Sequence, residues 1–62
     1  MKISIKKISG NWAVIVESGR ASGIYFQGHG LAAAKHAAAV LRRDVKQHGE
    51  AVINFDALEA AA

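Results

Sequence analysis

The residues of this chain whose types and spacing could do chemistry are its cations and histidines, and their arrangement points to binding rather than catalysis. Lys35, Arg42 and Lys46 recur at intervals of seven and four, the spacing of one helical stripe, with His36 and Arg43 beside them. Such a row can track phosphates along one edge of a helix, as nonspecific nucleic-acid binding requires. A plain structural reading competes with it. Cations in the last turns of a helix oppose the negative end of its dipole, for roughly 0.3–1 kcal/mol each. That covers Arg42, Arg43 and Lys46 but leaves out Lys35, which stands near the start. Lys2, Lys6 and Lys7 either extend the basic surface or guard an edge strand against aggregation.

The remaining polar residues form no reactive set. His36 and His48 lie twelve residues apart on one helix and cannot share an ion, while Asp44 and His48 suit a helix-surface pair. Glu17, Asp44, Glu50, Asp56 and Glu59 make no catalytic or metal-ligating motif, so neither an enzyme nor a cofactor is expected. Gly28-His29-Gly30 precedes a helix that has no Ser, Thr, Asp or Asn to cap it. Its free N–H groups could hold an anion. A turn that needs glycine's backbone freedom accounts for the same residues. Trp12 and Phe26 belong to the expected core, and Tyr25 alone is too little for a base-stacking platform.

These residues must be carried by one small domain over 1–62. A chain of this size buries only roughly 60% of its unfolded surface, which makes a homodimer a reasonable expectation. It has no Cys, which excludes disulfides and thiolate metal sites and fits a reducing cytoplasm. The start, MKISIKKISG, lacks the apolar core of a signal peptide, and no run approaches the ~20 apolar residues of a membrane span. A net charge of +3 tilts the partner toward nucleic acid or an acidic protein.

The periodicities predict an α+β fold of order β-β-β-α-β: a mainly antiparallel sheet of three or four strands with one helix across it. Lys2 to Ile8 alternates, with Ile8 out of phase and a bulge or end expected near Lys7. Trp12 to Glu17 is apolar on both faces, as in a central strand. Ser18 to Gly23 reads as a loop and Ile24 to Gln27 as a short strand, with Ile24 and Phe26 opposite Tyr25. Leu31 to His48 is the helix, with Leu31, Ala34, Ala38, Leu41 and Val45 on its core face and Gly49 as its C-cap. Ala51 to Phe55 reads as a fourth strand, and Asp56 with Glu59 as the cap of a last turn over 57–62.

Ala33, Ala37 and Val40 lie away from that core face and form a candidate self-association surface, with Ile15 as a second patch. The layout, with GIYFQGHG leading into LAAAKHAAAVLRR, resembles the HicB antitoxin family over about Ile3 to Phe55. That likeness implies a truncated ribonuclease-H-like domain with an antitoxin-like role. Small uncharacterised bacterial β-β-α-β domains are similar in plan and imply architecture only. Where the HicB family commonly has acidic residues at the helix start, this chain has Leu31, Ala32 and Ala33, and no site residue is carried over. The leading expectation is a non-enzymatic module that contacts nucleic acid weakly through its basic helix edge. A protein-interaction or self-associating domain is the alternative.

Overall fold

A computed structural model describes residues 1–59. Three antiparallel strands, β1 (Lys2–Ile8), β2 (Asn11–Ser18) and β3 (Ala21–Gly28), lie in the order β1-β2-β3. The helix α1 (Leu31–His48) crosses one face of this sheet. The expected α+β class and its β-β-β-α order are present; the trailing strand is not.

Both hairpins are tight. Ser9 (φ 50°) and Gly10 (φ 83°) form a two-residue turn of type I′, the hand that suits the twist of its strands. The β1–β2 ladder runs without a bulge from Lys2–Glu17 to Ile8–Asn11, so of the bulge or end expected near Lys7 it is the end that is present, one residue on at Ile8. Ile8 leaves the inner row because it closes the turn opposite Asn11. In the second hairpin the turn is only Gly19-Arg20, with Gly19 at φ 59°, and Ser18 pairs with Ala21. The expected loop over Ser18 to Gly23 is therefore mostly strand.

The bulge is on β3 instead. Phe26 stands opposite Val14 and Ile24 opposite Ile15, which leaves Tyr25 as the extra residue. This flips Ile24 away from Phe26, so the expected shared face of those two does not exist. Paired residues share a face. The inner face carries Ile3 and Ile5, then Trp12, Val14 and Val16, then Gly23 and Phe26. The outer face carries Lys2–Glu17–Ser22, Ser4–Ile15–Ile24 and Lys6–Ala13–Gln27.

The helix forms between the predicted bounds. Its sequence holds no Gly or Pro, and Gly49 (φ 82°) ends it by donating to the Val45 carbonyl. Ala34, Ala38 and Leu41 are fully buried against Val14 and Val16, with Val45 and Ala37 packed beside them. Small alanines let the helix approach the sheet closely. Leu31, expected on the core face, is 36% exposed because it lies at the helix's first position, past the edge of the contact.

After Gly49 the chain wraps instead of adding a strand. Two 3₁₀ turns, Glu50–Val52 and Phe55–Ala57, replace the strand expected over Ala51 to Phe55. Ile53 is buried, and Phe55 and Leu58 pack on the same core between helix and sheet. Asn54, not Asp56, caps the second turn: its side chain accepts from the Asp56 N–H at 3.2 Å. The last turn expected over 57–62 lies partly outside the described residues; within them, Ala57 ends a 3₁₀ turn and Glu59 makes one bridge to Ile24. The wrap fits because Gly23 has no side chain. A Cβ at Gly23 would lie 2.6 Å from the Leu58 Cβ.

Candidate functional site

The side of the molecule where α1 meets β1 gathers the chain's chemistry. The turn at Ser9-Gly10 is closed by the Ile8–Asn11 pair, which in a two-residue hairpin exchanges both ladder hydrogen bonds. Antiparallel alternation then turns the N–H and C=O of Ile3, Ile5 and Lys7 away from β2. No described strand lies beyond β1, so these groups form a free sheet edge. Agreement comes from the helix: the Arg42 guanidinium donates to the Ile3 carbonyl in a long contact of 3.5 Å.

Beside that edge is an open pocket of about 330 Å³, lined by Met1, Ile3, Arg42, Val45, Lys46 and Glu50. Its floor is apolar and its rim is charged. Glu50 is occupied within the fold, 3.3 Å from the N-terminal ammonium and accepting from Ser18 Oγ at 3.1 Å. This joins the wrap to the open ends of β1 and β2. Arg42 and Lys46 thus rim the pocket without an acidic partner among the described residues.

The candidate basic residues Lys35, His36, Arg42, Arg43 and Lys46 are all exposed. Lys35 and Lys46 are separated by about 16 Å along the helix, at roughly 1.5 Å per residue. Arg42 and Lys46 share the pocket on the β1 side, whereas Arg43 and His36 lie further round the helix, by about 100° per residue, and do not line it. On β1, Lys2 and Lys6 project to the outer face of the sheet, away from the helix. Lys7 faces the helix side, and its Nζ lies 5.7 Å from the Trp12 ring centroid. Lysines therefore bracket the β1 edge without continuing the helix stripe.

Other candidates fare differently. Gly30 is the N-cap of α1 in an extended conformation (φ −99°), with no side-chain cap bond, and His29 is exposed beside it. Neither Gly28 nor Gly30 has a positive φ, so the turn does not use the backbone freedom expected of it. At Gly28 the requirement is space, since a Cβ would lie 3.1 Å from the Phe26 ring. Of the self-association residues, Ala33 is exposed and Val40 half-buried, but Ala37 is already packed on the core. Ile15 is only 4% exposed, so the second patch is closed within the molecule. Trp12 is packed on the core, and Tyr25 is 39% exposed on β3, the strand farthest from β1.

Among the described residues, no three His, Cys, Asp or Glu side chains gather as a metal site, and no helix is long and apolar enough to cross a membrane. Sequence reasoning missed Ile3, Val45 and Glu50 as site residues. Their roles arise only because the wrap turns away from β1. No family model matches the chain, and no curated protein or solved structure matches it significantly, so the likeness to the HicB family rests on layout alone.

Proposed function

We propose that this chain is a small non-enzymatic binding module that docks an acidic protein partner on the side where α1 meets β1. The observation that carries this reading is the free edge of β1, lying beside an apolar-floored pocket whose rim holds Arg42 and Lys46. An edge strand offers main-chain hydrogen bonds, a pocket offers a place for one apolar side chain, and the cations select the charge of what approaches.

A second reading is weak, sequence-independent contact with a nucleic-acid backbone. The exposure of Lys35, Arg42, Arg43 and Lys46 favours it. The position of Trp12 in the core, with Tyr25 on the far strand, removes base stacking from that reading and leaves phosphate contact alone.

The deciding experiment is an amide-resolved NMR titration with poly-glutamate and with a short DNA duplex, at low and physiological salt. Shifts on β1 and on Arg42 to Lys46 with poly-glutamate support the protein reading. Steeply salt-dependent shifts with the duplex alone transfer the surface to nucleic acid. Silence with both retires the two readings together.

A further inference from the structure

β1 is an edge strand with its outward backbone groups at Ile3, Ile5 and Lys7, and only the Ile3 carbonyl meets a side chain among the described residues. Such groups are a template for another strand. Side chains of a strand added here would alternate between the two faces of the sheet. Those turned toward the helix would meet Arg42, Lys46 and the pocket floor of Ile3 and Val45. Those turned the other way would meet Lys2 and Lys6, which lie on the outer face. Cations flank both rows.

We infer that the free edge of β1 receives an extended acidic segment of a partner polypeptide by strand addition, with carboxylates toward both faces and one apolar side chain seated in the pocket beside Ile3. This rests on the protein-partner reading and adds the partner's conformation and its charge pattern. A second copy of this chain is a poor occupant. Pairing β1 with itself would crowd six lysines, Lys2, Lys6 and Lys7 of each copy, onto one two-stranded ladder, and that concentration of like charge opposes the pair. A nucleic-acid backbone would engage the cations but leave the edge carbonyls and the apolar floor unused.

The test uses the full chain and a capped acidic peptide, Asp-Glu-Val-Glu-Val-Glu-Asp. Two N-methylated copies are added, one blocked at the odd amides and one at the even amides. A lysine-for-glutamate copy and a short DNA duplex complete the set. Strand addition uses the amides of one peptide edge only. One methylated copy is therefore expected to lose binding by about tenfold or more while the other binds like the parent. The parent peptide is also expected to slow amide exchange at Ile3, Ile5 and Lys7, and Arg42→Gln with Lys46→Gln to weaken it severalfold. Equal binding by both methylated copies overturns strand addition while leaving an acidic partner in place. Binding of the duplex without the peptide overturns it in favour of nucleic acid. If no peptide binds, both the inference and the protein reading fall.

Discussion

Replacing Gly23 by Ala tests the contact on which the free β1 edge depends. The new Cβ would lie 2.6 Å from the Leu58 Cβ, 3.0 Å from its Cδ1 and 3.3 Å from the Glu59 carbonyl oxygen. Gly23 is buried on the inner face opposite Val16 and has no positive φ, so the backbone accepts Ala and the penalty is one of space. Overpacking of this kind costs about 1–3 kcal/mol, whereas Gly to Ala at a compatible backbone recovers about 0.4–1 kcal/mol from the unfolded state. At the middle of those ranges the net loss is about 1.3 kcal/mol, a fall in Tm of about 5–10 °C for a domain this small. Thermal melts followed by circular dichroism measure it. Amide exchange adds a local readout, because the Ile24 N–H donates to the Glu59 carbonyl at 2.8 Å and should lose protection when the wrap is pushed off. In a Leu58→Gly background, which removes the clashing Cβ, Gly23→Ala should cost markedly less. An unchanged Tm with Ile24 still protected would refute the seating of Leu58 against Gly23, and with it the reason β1 is left uncovered.

Three further substitutions test the rest of the fold. Leu41→Ala empties the largest fully buried side chain at a cost of about 2–5 kcal/mol, comparable with the roughly 3–9 kcal/mol that holds a chain this size together. Its circular dichroism at room temperature should show a substantial unfolded fraction, and a Tm within a few degrees of the parent would contradict the packing. Ser9→Asn creates the Asn-Gly pair that type I′ turns prefer, so it should stabilise by a few tenths of a kcal/mol, read as a higher urea midpoint. Any loss of stability there would argue against a turn with Ser9 in the left-handed region. Ser4→Ala removes a buried hydroxyl that has no hydrogen-bond partner among the described residues, and it should stabilise by roughly 0.5–1 kcal/mol. A fall in Tm would mean that the hydroxyl has a partner after all.

The helix was readable because several local signals agree. From Leu31 to His48 the chain holds strong helix formers without Gly or Pro, its apolar spacing is helical, and Gly49 stops it. The two hairpins differ in how plainly they are written: Ser9-Gly10-Asn11 is a turn signal in the sequence itself, whereas Ser18 to Gly23 has so many small polar residues that a tight turn with flanking strand looks like a loop. Ile24-Tyr25-Phe26 alternates as a regular strand would, and nothing local marks Tyr25 as a bulge. Its placement is set by pairing with β2. The failure over Ala51 to Phe55 has the same origin. A short run with Ile53 and Phe55 two apart suits a strand and a 3₁₀ wrap equally well, and the choice is made by the space at Gly23, about thirty residues away in the chain. The cationic stripe was visible in the sequence, but its pocket was not, because Ile3, Val45 and Glu50 meet only once the wrap has gone to β3.

The lysines of β1 then acquire two consequences from one placement. An edge strand with unpaired N–H and C=O groups invites its own copies, and Lys2, Lys6 and Lys7 repel them because each copy brings the same charges. The same charges attract a strand of opposite sign, and Arg42 and Lys46 add to that preference from the helix side. Protection against self-pairing and selection of an acidic partner therefore need no separate residues. Raising salt should separate the two effects. Screening weakens repulsion between exposed lysines as well as attraction for the peptide. Affinity for the acidic peptide should fall with salt while the tendency of the free chain to associate rises, and sedimentation equilibrium alongside the peptide titration reads both. If association and peptide binding both fell with salt, the lysines would not be what keeps the free edge apart.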